Sequence, residues 1–166
     1  MPTHIALLRA VNVGGTGKLP MAELKAMALA LGFANPRTYI ASGNLLFESE
    51  LAIDEAGAQL EARLAEYAGK PMGVLMRSPA ELRELLARNP FPEAPGNRLL
   101  ITFLPAALPE PLVAKGQNDE QWRLLGRELW VHYPGGMGSS KLRIPAAEAG
   151  TARNLNTVQA LLALAG

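Results

Sequence analysis

Cysteine is absent from the 166 residues, which removes disulfides, thiolate metal sites and a cysteine nucleophile together. Aromatic residues are scarce, at 5% of the chain, and the first apolar run, Ile5-Ala6-Leu7-Leu8, contains none. An RNA-recognition sheet needs stacking rings on its central strands, and Phe47 stands alone on its strand, so nucleic acid is not an expected partner. An excess of one charge is also missing. With 16 Lys and Arg against 15 Asp and Glu, no polyelectrolyte partner is written into the totals. Apolar stretches are broken by charge, Gly or Pro well short of the roughly 20 residues of a membrane-spanning helix. Met1-Pro2-Thr3-His4 has no basic n-region, so a soluble, cytoplasmic protein is expected. Only His4 and His132 carry imidazole; without metal-ligand spacing both read as structural, and no metal site is expected. No serine sits in a nucleophile elbow and no acidic cluster resembles a glycosidase pair.

What remains is globular, with 49% hydrophobic and 19% charged residues. The length suits one domain or two small ones. His4 to Arg9 is apolar enough for a strand buried on both faces, and so central in its sheet. Pro20 opens a helix whose apolar face is Met21, Leu24, Ala28 and Leu31, stopped by Gly32. Thr38 to Ala41 and Leu45 to Glu48 form a hairpin around Ser42-Gly43-Asn44. Ile53, Leu60, Leu64 and Tyr67 mark a second helix, and Gly73 to Arg77 a further strand. The order β-α-β-β-α-β is the ferredoxin-like plan.

The second half repeats that order more loosely. Ser78-Pro79-Ala80-Glu81 is a capping box, and Leu82, Leu85 and Leu86 form its helix's stripe. Leu99 to Leu104 reads as a buried strand, and a short helix is expected to end near Gly116 after Pro105, Pro109 and Pro111. Trp122 to Leu125 and Glu128 to Tyr133 form a hairpin at Gly126-Arg127. The last helix is expected to be capped by Asn156, with Gln159 three residues on. The fold class expected is α+β with two subdomains. Residues 1–78 form the ferredoxin-like one, and residues 79–166 a related α/β arrangement ending in a C-terminal helix.

Four segments carry candidate chemistry. Asn12-Val13-Gly14-Gly15-Thr16-Gly17-Lys18-Leu19 is not a P-loop, because Asn12 and Leu19 stand where Gly and the magnesium-binding hydroxyl belong. It is either an anion-facing glycine loop before a helix or a turn whose glycines supply positive φ. Ser42-Gly43-Asn44 is explained by hairpin geometry, with a role in a site only if it flanks the first loop. Pro134 to Ser140 followed by Lys141 combines glycines, the hydroxyls of Ser139 and Ser140 and a fixed charge. These are the ingredients of a phosphate cradle, or of an exposed loop with a solvated lysine. Arg153, Asn154 and Asn156 lie at the start of the last helix, a second feature favouring negative charge, and Lys141 and Arg153 are expected to converge on one anion.

These motifs, taken in order as Ile5-Ala6-Leu7-Leu8-Arg9 with Asn12-Val13-Gly14-Gly15, Thr38-Tyr39-Ile40-Ala41-Ser42-Gly43-Asn44, His132-Tyr133-Pro134 with Gly138-Ser139-Ser140-Lys141-Leu142, and Thr151-Ala152-Arg153-Asn154-Leu155-Asn156-Thr157, resemble the domain-of-unknown-function 1697 family nearly end to end. The resemblance implies two α+β subdomains and no established activity. It maps the family pattern onto Arg9, Asn12, Gly14, Gly15, Ser42, Gly43, Asn44, Lys141, Arg153, Asn154 and Asn156. Ala10 and Leu155 depart from it, where the family has Gly and Trp. The ligand-binding set expected is Arg9, Asn12, Gly14, Gly15, Lys18, Ser42, Asn44, Ser139, Ser140, Lys141, Arg153, Asn154 and Asn156. The partner expected is a small anion, a nucleotide or phosphorylated metabolite, held in a cleft between the subdomains. The alternatives are a group-transfer enzyme using the same cleft and a protein-interaction module without a small ligand. No cofactor or oligomeric state is indicated.

Overall fold

β1 (Thr3–Leu8) takes its interior position from composition: a strand with apolar residues on both alternating faces is stable only where both are covered. The computed structural model describes residues 1–9, 19–39 and 43–166. Within them the chain is α+β, with two four-stranded antiparallel sheets and four helices. One compact unit comprises Met1–Glu84 with Leu161–Gly166, the other Leu85–Ala160.

In the first unit the order is β2-β3-β1-β4, adding β2 (Ala34–Thr38), β3 (Asn44–Glu48) and β4 (Val74–Arg77). Ile5 lies opposite Leu46 on one side and Arg77 on the other. Helices α1 (Met21–Ala30) and α2 (Ile53–Ala68) bury Leu24, Met27 and Ala28, and Leu60 and Leu64, with the sheet residues Ala6, Leu8, Leu45 and Phe47. Each fully buried Leu contributes about 1.5–3 kcal/mol. Phe33 stacks on Phe47 at 4.1 Å between ring centroids, and His4 meets the same ring edge-on while its Nε2 bonds the Leu51 carbonyl at 3.0 Å. Ile5, Leu7 and Leu46, on the other face, are buried as well.

β2 lies earlier than the expected Thr38 to Ala41. Its register with β3 shifts between Ala34 and Arg37, where Asn35 adopts φ 50°. Pro36 donates no ladder bond and is accommodated because β2 is an edge strand. The remainder of the expected strand, residues 40–41, lies outside the described residues.

α3 (Pro79–Ala87) begins in the expected capping box: the Ser78 N–H donates to Glu81 Oε1 at 3.0 Å and the Glu81 N–H to Ser78 Oγ at 3.1 Å. The second sheet runs β6-β7-β5-β8, built from β5 (Leu99–Phe103), β6 (Gln121–Leu125), β7 (Glu128–His132) and β8 (Thr151–Asn154). Instead of the expected helix before Gly116, the chain is irregular there, since Pro105, Pro109 and Pro111 each withhold a donor. Arg153 and Asn154, expected at the start of the last helix, belong to β8 instead; Thr-Ala-Arg-Asn has no apolar alternation to announce a strand. α4 (Leu155–Ala165) starts one residue before the expected cap. Asn154 Oδ1 accepts the Thr157 N–H at 2.9 Å, so Asn154 and not Asn156 is the N-cap.

Candidate functional site

Two long connections, residues 104–120 and 133–150, cover one face of the second sheet. Leu104, Leu108, Leu142 and Ile144 pack there with Leu129, Val131, Trp122 and Leu124. Lys115 and Arg143 staple the connections, each N–H donating to the other's carbonyl at 2.8 Å. Gly116 follows at φ +68°, and a Cβ there would lie 2.2 Å from the Lys141 carbonyl oxygen, so the two backbones approach this closely only with glycine at the position.

Glu120 ties the next residues together. Its Oε1 accepts the Asn118 N–H at 2.6 Å, its Oε2 accepts Ser140 Oγ–H at 2.5 Å, and its carbonyl accepts Gln117 Nε2–H at 2.7 Å. Ser140 Oγ in turn accepts the Leu142 N–H at 3.2 Å. The Glu120 residue is 4% exposed. The Ser140 hydroxyl, then the Asn118 N–H and its own N–H, hold its carboxyl below the ordinary 4.5. Burial raises the Tyr133 phenol above 10.0, and the Glu120 charge adds to the rise.

The result is a cavity of about 390 Å³, walled by Gly116 and residues 118–120 on one connection and by Gly135, Gly136 and residues 139–141 on the other. In the glycine segment the Gly136 N–H closes a turn on the Tyr133 carbonyl at 2.9 Å, and the Ser140 N–H bonds the Met137 carbonyl at 3.2 Å. The N–H groups of Gly135 and Ser139, the Lys141 ammonium and the Asp119 carboxylate have no partner among the described residues. The wall therefore offers unspent donors, one cation and one carboxylate, while Glu120 is spent on holding it together. A carboxylate lowered in this way is a weaker proton acceptor than an ordinary one. Among the described residues no group of His, Asp or Glu is placed to hold a metal ion.

Of the sequence-derived candidates, Ser139, Ser140 and Lys141 share this cavity. Arg153 does not join them. It pairs with Ile101, which lies opposite Trp130, and so projects from the face of the sheet opposite Leu129 and Val131, the face on which Leu142 packs. Its Nη1 donates to Thr151 Oγ1 at 2.7 Å and to the Ala152 carbonyl at 2.9 Å, and burial lowers its pKa to about 10. Asn154 is the helix cap, and the Asn156 side chain lies against Gly96, where a Cβ would meet its Oδ1 at 2.0 Å.

Arg9 and Asn44 belong to the first unit. The Leu8 N–H reaches the Gly43 carbonyl and the Arg9 N–H the Gly73 carbonyl, both at 2.9 Å, so the hairpin turn flanks the end of β1. Asn44 is buried and its Nδ2–H donates to the Tyr39 carbonyl at 2.8 Å, a turn-holding role. Asn12, Gly14, Gly15, Lys18 and Ser42 lie outside the described residues. Gly116, Asn118, Asp119 and Glu120 were not singled out from sequence. The Gly-Gln-Asn-Asp-Glu run reads as an ordinary polar loop until the Lys115–Arg143 staple places it against the glycine segment.

A family model described as "Protein of unknown function (DUF1697)" matches residues 1–130. No curated protein matches the chain. Among solved structures, a conserved bacterial protein from Streptococcus pneumoniae aligns over 99% of both chains with a TM-score of 0.80 and 23% identity, which makes the fold a shared one.

Proposed function

The chain belongs to the DUF1697 family of proteins of unknown function, and from that premise we propose that it binds a small anionic ligand, a nucleotide or phosphorylated metabolite, in the cavity of the second unit. The observation that supports this reading is that Gly135, Ser139 and Lys141 line one cavity and that their two N–H groups and the ammonium have no partner among the described residues. Backbone N–H groups in a glycine segment with a left-handed residue, here Gly136 at φ +87°, favour an anion, and a lysine adds charge without a fixed geometry. Ser139 and Ser140 line the same wall. For the first unit, the order β2-β3-β1-β4 with α1 and α2 between its strands supports the ferredoxin-like plan.

Thermal-shift titration with AMP and glycerol phosphate tests the reading. A bound ligand at 100 times its Kd adds about 2.7 kcal/mol to stability. Lys141→Ala is expected to weaken that binding about tenfold or more, a hydrogen bond to charge being worth about 1.5–3 kcal/mol. The melting temperature without ligand should barely change, because Lys141 is exposed. A chain that ignores both compounds, or a Lys141→Ala variant that binds as the parent does, rules the reading out.

A further inference from the structure

The charges around the cavity are few and of both signs. Lys141 contributes one positive charge, and Asp119 and Glu120 contribute two negative ones, so the titratable lining sums to −1. Neither Arg143, which pairs with Glu148 at 3.3 Å, nor Arg98, whose Nη1 donates to the Pro134 carbonyl at 2.6 Å, belongs to the lining. Asp119 is exposed, and its Oδ2 lies 3.4 Å from where a Cβ on Gly135 would be, next to one of the unspent N–H groups. A free carboxylate so close to an anion-binding wall repels a second phosphate and accepts hydrogen bonds from hydroxyl groups.

We propose that Asp119 is a specificity-determining residue that restricts the cavity to singly phosphorylated polyols and turns away di- and triphosphates. This rests on the reading of the cavity as a phosphate-ester site. One ester, carrying about −1.5 to −2 at neutral pH, is matched by Lys141 and the N–H groups of Gly135 and Ser139. The hydroxyls beside it donate to Asp119, as ribose hydroxyls do to a carboxylate in dinucleotide sites. Each further phosphate brings negative charge with no second cation in the lining to receive it. At about 7 Å in water-like surroundings one carboxylate weakens binding of each added charge about threefold, and more as the site dries.

Calorimetric titration of the full-length chain, at low ionic strength and with chelator present so that no cation masks phosphate charge, tests this with glycerol phosphate, AMP, ADP and ATP. The expected affinities fall from AMP to ADP to ATP by about threefold per step. Asp119→Asn and Asp119→Ser should flatten that series to within about threefold overall. ATP binding as tightly as AMP, with binding still lost in Lys141→Ala, overturns the selectivity and leaves the phosphate site standing. An unchanged series in both Asp119 variants overturns the assignment to Asp119. If none of the four compounds binds, or Lys141→Ala binds them all normally, the site itself is refuted and the selectivity with it.

Discussion

Arg153 and Lys141 are both cations beside a loop in the sequence, yet the sheet gives them opposite work. Arg153 is 6% exposed, and its Nη1 donates to Thr151 and Ala152. Leaving a buried hydroxyl and carbonyl without their donor costs about 1–3 kcal/mol. Arg153→Ala should therefore lower unfolding stability by that order while AMP affinity changes less than about twofold. Denaturant unfolding and titration of the same variant check both halves, and a selective loss of binding would return Arg153 to the site. Glu120 offers a pH test. Its carboxyl lies below 4.5 in the folded chain, so its stabilisation is fully present above that value and is lost as pH falls through the lowered one. The melting-temperature gap between parent and Glu120→Gln should be constant above about pH 5.5 and close in more acidic buffer. A gap that widens on acidification would mean that Glu120 is held protonated. Ser140 and Lys141 were legible beforehand because glycine, hydroxyl and charge sit side by side. Glu120 was not, since its partner lies twenty residues away and only the Lys115–Arg143 staple brings the two together.

Among the elements, the interior strands declared themselves, and so did the edge strands β4 and β6, whereas the edge strands β2 and β8 did not. Continuous apolar runs marked β1, β3, β5 and β7, because burial on at least one face leaves a pattern in residue type. β2 and β8 are edges rich in Asn, Pro, Thr and Arg, so residue type leaves no apolar period to read. The same difference predicts hydrogen exchange. Amides of β1, bonded to β3 and β4, should be among the slowest, whereas those of β2 beyond its bulge should exchange much faster. Fast exchange at Ile5 to Leu7 would contradict the sheet order. Helix α4 supplies a second check. Asn154 satisfies the Thr157 N–H, so Asn154→Ala should cost about 1 kcal/mol by denaturant unfolding. Asn156→Ala, at a position once expected to be the cap, should cost clearly less.

Across the whole chain the two sheets are variations on one arrangement, β2-β3-β1-β4 and β6-β7-β5-β8. Ile5 faces Arg77 as Ile101 faces Arg153, and each arginine's Nη1 donates at 2.9 Å to the carbonyl just before it. Each then leads through a capping residue, Ser78 or Asn154, into a helix. The repetition has no counterpart as a direct sequence repeat, because antiparallel pairing constrains which face a residue occupies and not its identity. Yet the first unit is not closed by its own half of the sequence: it includes Leu161–Gly166 from the end of α4. Leu161 is buried, and Arg37 Nη1 donates to the Leu164 carbonyl. A fragment ending at Glu84 lacks both. Loss of a buried leucine side chain alone costs about 2–5 kcal/mol, a large share of what a unit of this size commands. The fragment should therefore melt well below the intact chain by circular dichroism, and Leu161→Ala in the intact chain should speed amide exchange in the first unit. A fragment of residues 1–84 as stable as the full chain would show that the last helical turn is dispensable to that unit.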